Sequence, residues 1–106
     1  MTIKTNAASY DDVLLVPQYS DIRSRSEIVL DADLGNNLKL KFPIIASPMD
    51  TVSEQHMAIG MANHGASAVI HRYNTIEQQA AMVNSALEAG TSGAVGAAIG
   101  ISGDFL

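Results

Sequence analysis

The sequence predicts an α/β fold in which a β-hairpin precedes a parallel βαβαβ unit. Three short apolar segments, 43–46, 67–70 and 94–100, do not alternate between apolar and polar residues. Continuous apolar runs of this kind are typical of parallel strands that are buried on both faces. Two segments with the apolar spacing of helices separate them. Crossovers between parallel strands are almost always right-handed, so we expect that hand here.

The first 42 residues predict an irregular segment followed by the hairpin. Residues 1–27 have no regular periodicity, and Ile28 begins the first predicted arm. Gly35 and two asparagines supply a turn signal, and the second arm alternates two lysines with the apolar residues Leu38, Leu40 and Phe42. Alternation at this period predicts one buried face and one exposed face.

The first helix is predicted from a capping signal and an apolar face. Thr51 and Glu54 have capping-box spacing, so we expect Asp50 and Thr51 to cap the helix and to balance its dipole. Gly65 stands where a helix stop belongs. The predicted buried face consists of Met57, Ala58, Met61 and Ala62.

The second helix is predicted by the same reasoning. Thr75 and Gln78 have capping-box spacing at its start, and Gly90 follows its end. The predicted apolar stripe consists of Ile76, Ala80, Val83 and Leu87. This helix completes the order β-α-β-α-β after the hairpin.

Composition argues against several classes of function. A net charge of −5 argues against nucleic-acid binding, which relies on clustered lysine and arginine. The sequence has no cysteine, and therefore no disulfide, thiol ligand or thiol nucleophile. Apolar runs are shorter than the roughly 18 residues of a membrane span, and the N-terminus lacks a signal-peptide pattern. We expect a cytoplasmic protein with no membrane partner.

Four sequence blocks stand in a fixed order along nearly the whole chain. They are Tyr10 to Pro17, Ser47 to Val52, His71 with Arg72, and Val95 to Gly100. In order and spacing these blocks resemble the IMP dehydrogenase/GMP reductase family. The resemblance implies the N-terminal portion of a (β/α)8 TIM barrel, with residues 1–42 as the N-terminal segment and hairpin and residues 43–106 as the first βαβαβ units. A full barrel needs about 250 residues, so we expect this chain alone to be incomplete and inactive.

The resemblance implies a barrel that binds a purine nucleoside monophosphate at the carboxyl ends of its strands. Blocks 47–50 and 96–100 are more similar to the dehydrogenase, whereas 24–27 is more similar to the reductase. We favour an NAD-dependent IMP dehydrogenase that oxidises IMP to XMP. The alternatives are an NADPH-dependent GMP reductase, a non-catalytic assembly or binding module, and a phosphate-binding barrel segment without purine chemistry. The family also implies a homo-oligomer, expected to be a tetramer, and a monovalent cation bound outside these residues.

Two departures from the family pattern bear on the reaction. Arg72 stands where many members carry a lysine, which in the reductase is linked to deamination. Most dehydrogenases insert a pair of CBS modules between the second helix and the third strand, whereas residues 88–93 join these elements directly here. The sequence therefore resembles either a reductase or a dehydrogenase without its regulatory module.

The resemblance assigns binding residues but no catalytic residue in this chain. The family's dehydrogenase attacks C2 of the purine with a cysteine, which this sequence lacks. Ser47 and Met49 match residues that touch the nucleotide, since a hydroxyl can bond phosphate or ribose and a thioether can pack on a purine. Candidates for the dinucleotide cofactor, each with a purely structural or solvated alternative, are Ser24, Arg25, His71 and Arg72. The three histidines lack ligand spacing, so no metal site is predicted, and His56 and His64 are expected at the surface.

Overall fold

The computed structural model describes residues 7–90 and 95–102 and has an α/β architecture. A two-stranded antiparallel hairpin precedes a three-stranded parallel sheet, and two helices pack against that sheet. The strands are β1 (Ala32–Asp33), β2 (Lys39–Leu40), β3 (Ile45–Ala46), β4 (Ser67–Ile70) and β5 (Val95–Ala97). The helices are α1 (Gln55–Asn63) and α2 (Ile76–Glu88), and short 3-10 turns occur at Tyr10–Asp12 and Arg25–Glu27.

Some predictions lie outside the described residues. These are the first residue of the predicted third strand, Ala94, and most of the connection between α2 and β5. Within the described ranges, the element order is the predicted one. No helix in those ranges is both long enough and apolar enough to cross a bilayer.

The hairpin is shorter than the sequence predicts. Ala32 pairs with Leu40 across two antiparallel strands, and residues 35–37 all have positive φ in the turn between them. Glycine and asparagine adopt that conformation at low cost. The expected start of the first arm at Ile28 is wrong, because residues 28–30 precede the strand and are exposed.

The hairpin is short because the residues that follow β2 form hydrogen bonds with Gly65 rather than with residues 28–30. The amides of Lys41 and Phe42 both donate to the carbonyl of Gly65, at 2.9 and 3.0 Å. The chain therefore turns from the hairpin towards the end of α1 directly after Leu40, which is only 2% exposed. Gly65 has a φ of 74°, and a Cβ atom there would lie 2.7 Å from the Cβ of Lys41.

The three strands of the second sheet are parallel, as the apolar runs predict, and their order is β3-β4-β5. Ala68 is the shared register point, since it pairs with Ala46 on one side and Val95 on the other. Ile70 is fully buried in the centre of the sheet, which contributes about 1.5–3 kcal/mol. The buried core around it is otherwise made of small side chains, which let both helices approach the sheet: Ala58, Ala68 and Ala86.

Helix α1 begins later than its capping signal predicts. Thr51 is not the cap, because it adopts a left-handed conformation with a φ of 59° in the preceding loop. Glu54 occupies the N-cap position without a capping hydrogen bond from its side chain. Ala58 and Ala62 are buried on the predicted face, whereas Met57 is 37% exposed.

Helix α2 begins with the predicted capping box. The Gln78 amide donates to the Thr75 hydroxyl at 3.2 Å, and the Thr75 amide donates to the Gln78 side chain at 3.0 Å. The pKa of Glu77 lies below its usual value, because its own backbone N–H and then the Thr75 hydroxyl bond the carboxylate.

The buried face of α2 differs from the predicted stripe. Ile76 and Leu87 are each 56% exposed and Ala80 is also exposed, so only Val83 of the predicted stripe packs against the core. The residues turned towards the sheet have helical spacing but include one polar side chain: Gln79, Met82, Val83 and Ala86. The prediction was wrong because the polar Gln79 was not counted among the inward-facing positions.

Candidate functional site

The carboxyl ends of β3, β4 and β5 lie at the same edge of the sheet, because the three strands are parallel. We call this the carboxyl edge and define it as residues 47–50, 71–73 and 98–100. Open α/β sheets and barrels bind ligands outside the carboxyl ends of their strands. The parallel direction of all three strands is therefore the first condition that a binding site here has to meet.

The loop after β3 is organised by a buried serine. Ser53 is 1% exposed, and its hydroxyl donates to the carbonyl of Ser47. Its amide donates to the carbonyl of Met49 at 2.9 Å. Thr51 adopts positive φ within this loop, which is costly for a β-branched residue and is a form of strain often found at functional sites. The result is a tight loop that leaves the Met49 side chain 57% exposed at the carboxyl edge.

His71 follows β4 and braces the same loop. It is 2% exposed, and its amide donates to the Ser53 carbonyl at 3.2 Å. Nδ1 accepts from the Tyr73 amide at 3.1 Å, so the ring proton is assigned to Nε2, which donates to Glu54 Oε1 at 3.2 Å. Asp50 Oδ1 lies 3.9 Å from the same nitrogen. Both ring nitrogens thus have protein partners, and a direct contact between His71 and a cofactor stays a prediction.

Arg72 carries positive charge to the carboxyl edge. Its guanidinium carbon lies 5.2 Å from the centroid of the Tyr73 ring, which is cation–π range. A Cβ atom at Gly100 would lie 3.6 Å from Arg72 Nη1, so the side chain also approaches the turn after β5. The planar guanidinium suits bidentate binding of phosphate or carboxylate.

A side-chain amide connects the ends of β4 and β5. Gln79 Nε2 donates to the carbonyl of His71 at 3.1 Å and to the carbonyl of Ala98 at 2.9 Å. Asn74 Nδ2 donates to the same His71 carbonyl at 3.1 Å. The segment that carries His71 is therefore held from the α2 side as well as from the α1 side.

The predicted site residues fall into two groups. Ser47, Met49, His71 and Arg72 all lie at the carboxyl edge. Ser24 instead begins the exposed 3-10 turn that contains Arg25, and its hydroxyl accepts from the Ser26 amide at 3.3 Å. The hydrogen bonds of Ser24 stay within that turn. A cofactor role for Ser24 and Arg25 stays a prediction.

The histidines outside the carboxyl edge are at the surface, as predicted. His56 and His64 are both exposed, on α1 and at its C-terminal end. Across residues 7–90 and 95–102, no group of three or more His, Cys, Asp or Glu side chains is arranged to hold a metal ion.

Three residues that shape the site were missed by the sequence interpretation. Glu54 was interpreted only as part of a helix cap, and Ser53 was assigned no role, although Glu54 holds His71 and Ser53 holds Ser47. Gln79 was assigned no role. One signal could have found it: Gln79 lies three, four and seven residues before the apolar positions 82, 83 and 86, so it shares their face.

Comparison with protein families identifies the group to which the chain belongs. The model of the IMP dehydrogenase / GMP reductase domain matches residues 7–106. The chain belongs to the IMP dehydrogenase/GMP reductase family. The family predicted from the four sequence blocks is therefore confirmed.

Relatives with both names are similar to the chain. The inosine-5'-monophosphate dehydrogenase of Nitrosopumilus maritimus is 46% identical over 87 residues, which cover 82% of this chain and 18% of that protein. The GMP reductase of Leishmania donovani is 49% identical over 75 residues, which cover 71% of this chain and 15% of that protein. The crystal structure of GMP reductase from Trypanosoma brucei in complex with guanosine 5'-triphosphate superposes with a TM-score of 0.62 at 50% identity, covering 70% of this chain and 18% of that one.

These comparisons show the family of the chain but not which of the two reactions it serves. The chain spans less than a fifth of the length of these relatives, 18% of the dehydrogenase and 15% of the reductase. Identity to the two kinds of enzyme is similar, so membership in the family does not choose between the two reactions.

Proposed function

We propose that this chain forms part of the nucleotide-binding floor of an NAD-dependent IMP dehydrogenase, which oxidises IMP to XMP. In this proposal the chain acts together with polypeptide that completes a (β/α)8 barrel. The observation that carries the proposal is the exposure of Ser47 and Met49 at the carboxyl edge of a parallel sheet. Barrel enzymes bind their substrates at this face.

The two side chains suit complementary parts of a purine nucleoside monophosphate. The thioether of Met49 is soft and polarizable, and it packs against the purine face. The Ser47 hydroxyl donates to or accepts from the ribose or the phosphate. The backbone beneath both residues is fixed by Ser53, so little ordering of the loop is needed when the nucleotide binds.

The remaining candidates are assigned to the cofactor. Arg72 binds an anionic group of NAD, and His71 holds the segment on which Arg72 lies. Ser24 and Arg25 reach the cofactor of a neighbouring subunit in a homotetramer. In support of further polypeptide around the sheet, apolar side chains remain exposed on its strands and helices, including Ile45 at 47% and Leu87 at 56%.

A GMP reductase that uses NADPH is the second candidate. It is favoured by the 49% identity to the Leishmania donovani reductase and by the 50% identity to the Trypanosoma brucei structure. The residue at position 72 argues against it. Resemblance to the reductases implies a lysine there for deamination, and an arginine cannot give up a proton near neutral pH.

A pair of hybrid enzymes tests the proposal. In the hybrid dehydrogenase, residues 7–106 replace the matching segment of the Nitrosopumilus maritimus dehydrogenase. In the hybrid reductase, they replace that of the Leishmania donovani reductase. We expect the hybrid dehydrogenase to form NADH from IMP and the hybrid reductase to lose activity with GMP. Restoring lysine with Arg72→Lys should recover the reductase.

The substrate role of the carboxyl edge is tested in the same hybrid dehydrogenase. We expect Met49→Ala to raise the KM for IMP about tenfold, the effect of losing about 1.4 kcal/mol of binding. Met57→Ala is the matched control, because Met57 is a partly exposed methionine on α1. A folded hybrid dehydrogenase that binds no IMP, together with an active hybrid reductase without Arg72→Lys, would overturn the proposal in favour of the reductase.

A further inference from the structure

We infer that Gln79 is a positioning residue for the nucleotide site, because its side-chain amide sets the separation of the β4 and β5 carboxyl ends. The inference deepens the proposed function and rests on it. Gln79 acts without touching substrate or cofactor. It acts through the two backbone segments that carry Arg72 and the turn at 98–100.

The two strand ends use the full donor capacity of the Gln79 side-chain amide. One nitrogen donates to His71 O at 3.1 Å and to Ala98 O at 2.9 Å, which uses both of its protons. The opposite amide orientation would place an acceptor against two acceptors, so the hydrogen bonds themselves assign the nitrogen.

The Gln79 bridge lies directly beyond the last hydrogen bond between β4 and β5. The Ala98 amide donates to the Ile70 carbonyl at 2.9 Å, directly beyond the last register pair, Ile70 with Ala97. After that bond the two chains leave the ladder. Gln79 provides the next connection, one residue farther along each chain. The distance between the two chain segments is therefore also fixed just beyond the ends of β4 and β5.

Packing alone does not require a glutamine at this place. Gln79 shares the inward face of α2 with Met82 and Ala86, where an apolar side chain of similar length would fill the same space. Burying a polar amide is unfavourable unless its hydrogen bonds are made. The distinctive property of Gln79 is thus its ability to donate to two carbonyls at once.

The variants Gln79→Met and Gln79→Lys in the hybrid dehydrogenase test this role. Methionine keeps the length and removes both donors, and lysine restores donors through its ammonium group. We expect Gln79→Met to raise the KM values for IMP and NAD about tenfold, with kcat changed less than about threefold. Gln79→Lys should recover at least half of that loss on a logarithmic scale. Asn84→Met, on the exposed side of the same helix, is the control and should leave both constants unchanged.

A purely structural role gives a different result. Gln79→Met would then lower kcat through loss of folded enzyme and leave the KM values unaltered, and Gln79→Lys would not restore them. Either outcome overturns the inference. If Gln79→Met fails to fold, the unsubstituted hybrid decides by NMR: the side-chain amide protons of Gln79 should exchange with solvent much more slowly than those of the exposed Gln78, and equally fast exchange refutes the bridge. A hybrid with native Gln79 that does not bind IMP would instead contradict the proposed function. In that case the NMR result alone decides whether the Gln79 bridge exists.

Discussion

The substitution Ser53→Ala tests whether a buried hydroxyl holds the loop that carries Ser47 and Met49. Ser53 is 1% exposed and donates to the Ser47 carbonyl. Alanine keeps the backbone bonds at both ends, namely the amide to the Met49 carbonyl and the carbonyl to the His71 amide. The substitution therefore removes one side-chain hydrogen bond and almost no volume.

The expected loss of stability depends on which hydrogen bonds the Ser47 carbonyl keeps after the substitution. It still accepts the Met49 amide at 2.9 Å, so it is not left without any partner. The loss should then equal the net value of one hydrogen bond, about 1 kcal/mol, rather than the penalty of up to about 3 kcal/mol for an orphaned buried group. In the hybrid dehydrogenase, the looser loop should also weaken IMP binding.

Urea unfolding of the chain measures this effect, with the loss taken from the midpoint at constant slope. The control is Ser20→Ala, because the Ser20 hydroxyl accepts from the Ile22 amide at an exposed position. Exposed substitutions of this kind change stability by less than about 0.5 kcal/mol. If Ser53→Ala costs no more than the control, the hydroxyl does not hold the loop, and the reasoning is refuted.

Other positions give independent checks. Glu54→Gln keeps an acceptor for the His71 Nε2 proton and should be nearly neutral, whereas Glu54→Leu leaves a buried donor unpaired and should lower the free energy of unfolding by about 1–3 kcal/mol in urea unfolding. Gly90→Ala should lower the free energy of unfolding by about 1–2 kcal/mol, because φ is 68° there and no atom lies close to the new Cβ. Gly65→Ala should lower it more, because the Cβ of Lys41 lies 2.7 Å from the new Cβ. Equal losses of stability in thermal unfolding would contradict the importance of that contact. The lowered pKa of Glu77 means that its carboxylate stabilises the fold above its unfolded pKa and that this contribution is lost as pH falls through the folded value. Glu77→Gln should therefore be less stable than the native chain at neutral pH and equally stable in acid, and a pH-independent difference would contradict this.

Local sequence signals predict strand β4 and the start of the second helix correctly, for identifiable reasons. Strand β4 has the predicted bounds, Ser67–Ile70, because a continuous apolar run lies between a glycine turn and a histidine that leaves the sheet. The capping box of Thr75 and Gln78 is satisfied by neighbours three residues apart, so no tertiary information is needed to predict it.

Tertiary hydrogen bonds account for the predictions that were wrong. The capping signal at Thr51 is the same kind of pattern, but here Ser53 bonds the Ser47 carbonyl and the helix begins at Gln55 instead. The inward face of α2 was misplaced because Gln79 donates to the carbonyls of His71 and Ala98, which lie 8 and 19 residues away, directly after β4 and β5. No sequence pattern contains those partners, since they depend on how β4 and β5 are paired.

The most direct test of the central claim follows the methyl group of Met49 when IMP binds. The chain, labelled with 13C at its methionine methyl groups, is mixed with unlabelled polypeptide that supplies the rest of the Nitrosopumilus maritimus dehydrogenase barrel, and IMP is added. We predict a shift of the Met49 methyl signal, while the signals of Met57, Met61 and Met82 on the helices stay in place. An unmoved Met49 signal in a mixture that forms NADH from IMP would contradict the claim that the nucleotide lies on the carboxyl edge beside this residue.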